Sequence, residues 1–178
     1  MNLTILITAM QFFIFNLFGT AESSGPKDFA VVKPFSISRY AGQWYEIARM
    51  DFRFEKNLSN VTADYTLNTN GTIKVVNRGF DYTKKVWKEA VGKAKFSGNP
   101  YEARLKVSFF GPFYAAYNVI ALDSDYRYAL VAGKNTGYLW ILSREITIPD
   151  EIKNSYLKIA SDLGFDTSVL TWTAQKKE

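Results

Sequence analysis

The 178-residue chain contains no histidine and no cysteine. That removes Ser-His-Asp and Cys-His nucleophiles, thiolate and imidazole metal ligands, disulfides and thiol redox cycles. Any chemistry must rest on carboxylates, Lys, Tyr or Ser. Glu46, in an otherwise largely apolar run, is the carboxylate of interest, because a carboxyl group in an apolar cavity can act as a general acid. No second carboxylate is expected on the same face, so the pair that acid–base hydrolysis needs is missing. The expectation is a binding protein, with no enzymatic activity, metal or cofactor.

Aromatic side chains and cations are the other candidates. The chain is 16% aromatic and carries 22 Lys and Arg against 17 Asp and Glu, a net charge of +5. Basic grooves with stacking aromatics can bind single-stranded nucleic acid. Against that reading stand an export signal and the lack of a dense basic stripe, and no nucleic-acid partner is expected.

The elements that must position these residues are mostly strands. From Gly42 to Arg144 the chain runs in short segments rich in Val, Ile, Tyr, Phe, Thr and Trp, separated by turn formers such as Asn70-Gly71, Asn99-Pro100, Asp123-Ser124-Asp125 and Asn135-Thr136-Gly137. Strands are expected at about 43–52, 60–68, 72–81, 85–97, 103–110, 114–123, 126–133 and 137–144. A helix is expected at about 149–164, with Pro149, Asp150 and Glu151 at its start, Gly164 at its close, and Ile152, Tyr156, Ile159 and Leu163 on one face. A short strand at Val169–Thr173 follows. Eight sequential antiparallel strands with short loops predict an all-β, up-and-down barrel with the helix packed outside, a closure that removes sheet edges. Such a barrel can be filled or can hold one small ligand.

Ahead of the strands, Met1 to Ala21 carry no charge and end in Gly19-Thr20-Ala21, the pattern of a secretory signal cleaved after Ala21. The competing reading is a retained anchor. Residues 22–33, with Ser23, Ser24, Gly25 and Pro26, read as a tether, and residues 34–178 as one domain. Export places the protein in the periplasm, at the outer membrane, or in the medium.

Three segments carry a family resemblance. Gly42-Gln43-Trp44 opens the first strand, Asp125-Tyr126 lies at the turn into the seventh, and Arg144 ends the eighth. Their order and spacing resemble the lipocalins. Tyr45-Glu46-Ile47-Ala48-Arg49, Val107–Tyr114 and Tyr117–Asp123 are similar to the bacterial outer-membrane lipoprotein branch and its apolipoprotein D and plant temperature-induced relatives. The resemblance implies a barrel carrying a fatty acid or lysophospholipid. It assigns Gly42, Trp44, Asp125, Tyr126 and Arg144 to structure, with Arg144 laid across the Trp44 indole at the closed end. It departs from the branch at the leader, where the Cys that would take the lipid anchor is absent, so a soluble form is expected.

With Trp44 inward, a period of two puts Glu46, Ala48 and Met50 on the inner face. The same phasing, guided by the resemblance on the middle strands, selects Tyr65, Val75, Asn77, Ala90, Val107, Phe109, Asn118, Ile120, Tyr138 and Trp140 as cavity residues. Small side chains including Ala63, Gly92 and Ala94 are expected to leave volume. Phe52, Phe54, Leu58 and the Phe109–Tyr114 segment, with Arg53, Lys56, Lys84 and Lys85, form an entrance rim suited to peripheral contact with a membrane or a partner. Lys176-Lys177 reads as a frayed end. A small-molecule scavenger, or a partner-binding barrel without lipid cargo, is the alternative function, and the state is monomer or homodimer.

Overall fold

The computed structural model describes residues 28–50 and 57–176. The leader, the first part of the tether and the rim residues Phe52, Arg53, Phe54 and Lys56 lie outside the described residues. Eight antiparallel strands follow in order: β1 (Gly42–Met50), β2 (Leu58–Leu67), β3 (Ile73–Asp81), β4 (Val86–Phe96), β5 (Arg104–Phe110), β6 (Phe113–Leu122), β7 (Tyr128–Ala132) and β8 (Leu139–Ser143). Each pairs with its neighbour in sequence, and β1 pairs with both β2 and β8, closing the barrel. A four-residue helix α1 (Ile37–Tyr40), not expected from the sequence, precedes β1.

The expected helix is α2 (Asp150–Asp162), packed outside the barrel. Its buried Tyr156 and Ala160 meet Ile47, Leu130, Leu139 and Ile141, and Tyr156 donates to the Tyr128 carbonyl at 2.8 Å. Gly164 adopts φ +87°. There its N–H reaches Ser161 O while the Phe165 N–H reaches Ala160 O, the paired carbonyl capping of a glycine stop.

The last strand, β9 (Leu170–Trp172), pairs with β1 at Ala48–Met50. Beyond the Tyr45–Thr62 pair, β1 and β2 have no further ladder pairs, and the C-terminal segment spans that seam. Gln175 Nε2 donates to Glu46 O and Val61 O at 2.8 and 2.9 Å. Lys176 N donates to Asn60 Oδ1 at 2.7 Å, so the chain is tied down here where a frayed end was expected. The expected tether also differs over its last residues. Phe29 is buried and stacks on Phe165 at 5.4 Å, and Val32 exchanges backbone bonds with Ala103 and Val119. The Ser-Gly-Pro composition ends at Pro26, and the apolar residues after it have a surface to cover.

One end of the barrel is plugged. Trp44 is fully buried, its Nε1 donates to Tyr40 O at 2.8 Å, and the Arg144 guanidinium lies 3.9 Å from its ring centre. Arg144 also donates to five carbonyls, those of Arg39, Tyr40, Ala41, Gln43 and Tyr126, at 2.6 to 3.3 Å. Gly42 suits the turn beneath it: its φ is +93°, a conformation L side chains rarely adopt, and Arg144 Nη1 packs 3.4 Å from where a Cβ would stand. Asp123, more than Asp125, shapes the adjacent turn, accepting from the N–H groups of Asp125, Arg127 and Tyr128. Tyr126 takes φ +59° and its hydroxyl accepts from Ser36 N. Arg144→Lys keeps the charge but loses the planar fork. It should destabilise the fold by about 2–4 kcal/mol, from several charge-assisted bonds lost together, read as a lower urea midpoint at unchanged m-value.

Candidate functional site

Above the plug the inner face opens into a cavity of about 370 Å³. A bulge in β1 and the phase of β6 decide which side chains reach it. In β1 the ladder to β8 slips between Glu46 and Ala48. Glu46 opposite Leu142 and Arg49 opposite Trp140 face inward, while Ala48 pairs with Ile141 and joins the cluster under α2. Ala48 and Met50 therefore lie outside the cavity. The slip has a trace in the sequence: two adjacent apolar residues, Ile47-Ala48, interrupt the alternation between Glu46 and Arg49.

In β6 the phase is the reverse of the sequence reading. Ala115 and Tyr117 pair with the inward Val107 and Leu105, so Asn118 and Ile120 point outward. Asn118 is nevertheless buried, because the 28–32 segment covers that outer face. Its Nδ2 donates to Gly133 O at 2.9 Å, and its neighbour Arg104 holds Phe29 O at 2.8 Å. An outward Asn under a covering segment looks, from sequence alone, like an inward polar residue.

Tyr65, Val75, Asn77, Ala90, Val107, Phe109, Tyr138 and Trp140 line the cavity together. The lining also includes Ala63, Leu58, Val61 and Gly79, and residues the sequence reading did not assign to it, notably Ala115, Tyr117 and Lys134. Gly92 leaves no volume of its own. A Cβ there would meet Phe109 Cδ1 and Ser108 O at 2.7 Å, so the Phe109 ring occupies that space.

Polarity is distributed by depth. At the open end, Lys88 pairs with Asp81 at 2.7 Å, and Lys134 is exposed without an ion-pair partner among the described residues. Hydrogen bonds from Lys88, Thr83 and the Lys84 N–H hold the Asp81 carboxyl well below the usual carboxylate range. On the wall, Glu46 Oε1 accepts from Arg49 and from Thr173 Oγ1, each at 2.6 Å. This buried pair ties β1 to the C-terminal segment and leaves Glu46 committed to a structural bond. At the floor stand three phenols, Tyr40, Tyr65 and Tyr117, linked by bonds of 2.6 and 2.9 Å. Burial raises all three pKa values, Tyr65 to about 12. They stay neutral at any physiological pH.

At the rim, Tyr82, Trp87, Phe110 and Phe113 are each between 42 and 58% exposed. The β5–β6 hairpin carries the two Phe residues on either side of Gly111-Pro112, and the β3–β4 hairpin carries Tyr82 and Trp87 on either side of Lys84 and Lys85. Tyr114 is half-buried, with Lys95 at 4.9 Å from its ring.

The Asp81 pairing gives a pH signature. A carboxyl that titrates lower in the folded than in the unfolded chain stabilises fully above the ordinary Asp value of about 4, and loses that contribution as pH falls from there toward the folded value. The stability gap between wild type and Asp81→Asn should be constant from about pH 7 to 5 and narrow below about pH 4, as followed by urea unfolding at each pH.

Comparison with known proteins agrees with this architecture. Residues 35–175 match the family described as the lipocalin-like domain. The outer membrane lipoprotein Blc of Citrobacter freundii is 53% identical over 150 residues, covering 84% of this chain and 85% of the relative. The protein of that name from Escherichia coli K12 is 52% identical over the same length, with the same coverage. Insecticyanin from the tobacco hornworm Manduca sexta shares the fold, with TM-score 0.72, 20% identity, and coverage of 87% of this chain and 88% of that one. A plugged eight-stranded barrel with an open cavity, matched over most of its length, thus belongs to the lipocalin-like family.

Proposed function

We propose that the protein binds one single-chain lipid, a fatty acid or lysophospholipid, for storage or transport in the bacterial cell envelope. The observation that carries this reading is the cavity itself. Its volume of about 370 Å³ lies near the lower end of the ~300–1,000 Å³ range of small-molecule sites. Most of its lining is apolar, including Leu58, Val61, Val75, Ala90, Val107 and Phe109, with Lys134 beside the mouth. Such a shape suits one acyl chain better than two, with a carboxylate or phosphate left near the cation. The envelope location draws on the relatives named outer membrane lipoproteins. This chain has no Cys to take a thioether-linked lipid, so its attachment, if it has one, differs in chemistry.

The rim fits loading from a bilayer. Exposed Tyr82 and Trp87 flank Lys84 and Lys85 on one hairpin of the open end, and exposed Phe110 and Phe113 lie on another; aromatic rings with lysines at the same end complement an anionic lipid surface. Co-sedimentation should show more binding to vesicles with anionic lipid than to zwitterionic ones. The double variant Phe110→Ser/Phe113→Ser should lose most of that binding while keeping its thermal midpoint.

Native mass spectrometry of the purified chain, beside a solvent extract, tests the cargo. The expected result is an adduct of fatty-acid or lysophospholipid mass at near one per chain, lost on delipidation, and weakened tenfold or more by Ala90→Trp, which places a large ring in the cavity. A chain that carries no lipid and refuses added lipid would favour the scavenger or partner-binding alternative.

A further inference from the structure

The three phenols at the cavity floor have one O–H proton more than the hydrogen bonds among them use. Tyr65 donates to the Tyr117 oxygen at 2.9 Å, and Tyr40 and Tyr117 share a bond of 2.6 Å in which either is donor. Among the described residues these hydroxyls bond only to one another. Three O–H groups and two bonds leave one donor unused. If Tyr117 donated to Tyr40, the unused proton would sit on Tyr40, which is 1% exposed and packed among the rings of Phe35, Trp44 and Tyr65. A buried donor without an acceptor is the costly arrangement. If Tyr40 donates instead, Tyr117 accepts twice and its own proton remains for the cavity that Tyr117 lines. The second arrangement strands no proton in the core.

We infer that the cavity floor is a subsite for an uncharged, hydrogen-bond-accepting oxygen on the far end of the acyl chain, held by the Tyr117 O–H, which makes hydroxylated fatty acids a cargo class. The inference deepens the carrier reading above and rests on it. A second polar atom points the same way. Asn77 Oδ1 is buried without a hydrogen-bond partner, and Asn77 lies on the cavity wall one inward step above Val75, the ladder partner of Tyr65. A hydroxyl group both accepts and donates, so a hydroxylated chain offers something to each. The charge of the ligand belongs elsewhere. Lys134 stands at the mouth, whereas the floor phenols are neutral and the nearby Arg144 is spent on five carbonyls. An acid therefore enters tail first.

The test is a titration of the delipidated full chain with hexadecanoic acid and with its ω-hydroxy derivative, and with shorter pairs of the same kind, followed by the change in tryptophan fluorescence, Trp140 being the tryptophan in the cavity wall. An apolar floor would reject the hydroxylated acid tenfold or more, because its hydroxyl would be desolvated without a partner. At the chain length that reaches the floor, wild type is expected to bind both acids within about threefold, and Tyr117→Phe to weaken the hydroxylated acid about tenfold while leaving the plain acid within twofold. Tyr65→Phe, which removes a donor to Tyr117 but not the Tyr117 proton, should keep the wild-type ratio. Rejection of every hydroxylated acid by wild type overturns the inference and leaves the carrier reading standing, and it does so even if Tyr117→Phe fails to fold. Equal weakening of both acids by Tyr117→Phe places the carboxylate at the floor and also overturns it. Binding of neither acid overturns the inference and the fatty-acid half of the carrier reading, leaving only a lysophospholipid cargo, which the adduct mass tests.

Discussion

The guanidinium of Arg144 is the contact on which the rest of the barrel depends. A closed eight-stranded sheet has two open ends, and a barrel that is to hold a ligand must seal one of them without filling the middle. Arg144 does this from outside the hydrophobic cluster. Its flat face covers the Trp44 ring at 3.9 Å while its edge donates to five backbone carbonyls, four in the chain that enters below β1 and one, that of Tyr126, in the turn before β7. Four of them, from Arg39, Tyr40, Ala41 and Gln43, lie at the end of α1 and the start of β1, so one side chain both covers the indole and meets the acceptors of the entry turn. Apolar residues could cover Trp44, but none could also satisfy the carbonyls. Tyr40 is held in the same way, its carbonyl bonded to Trp44 and Arg144 and its ring tilted against that of Trp44 at 4.9 Å. The phenol triad at the floor is thus positioned by the plug beneath it.

The cavity above depends on where the strands break their own period. Without the slip at Ile47, Ala48 and Met50 would face the interior and Arg49 the helix. With it, two apolar residues go under α2 and the Glu46–Arg49 pair joins the wall, bonded to Thr173. A buried ion pair is weak evidence of stability in itself. Its geometric effect is clearer: it anchors the C-terminal segment across the seam where β1 and β2 part, which a lid of apolar side chains could not do while leaving the ladder groups there satisfied.

These features differ in how far the sequence reveals them. The eight strands, their turns, the single helix and the returning strand are local patterns of period, turn chemistry and capping, and each falls within a few residues of its expected place. Placement on the inner face is less local. In β3 both faces carry apolar residues, Val75 on one and Val76 and Phe80 on the other, and Val75 and Asn77 reach the wall as the family resemblance phased them. In β1 a bulge inverts the phase halfway, and in β6 both faces are buried, one by the cavity and one by residues 28–32. Hydrophobicity then carries no sign, and Tyr117 was hidden for that reason. Lys134 escaped notice differently. Its loop placed it at the mouth, but nothing in Gly133-Lys134-Asn135 distinguishes a mouth from any other hairpin tip.

Depth and charge together give the cavity a direction. Cations gather at the open end, and the hairpins there carry exposed aromatics that can lie against lipid. The floor offers only neutral hydroxyls, kept neutral because burial penalises the phenolate. An amphiphile moving inward from a membrane therefore gains apolar contact along the whole length of its chain, while its charged group can stay in the wet, cationic rim without being desolvated. The reverse orientation would carry an anion past Val75 and Trp140 to a floor whose one nearby cation is already saturated. Entry from the rim, tail first, is the order in which the polar groups of this barrel can all be satisfied.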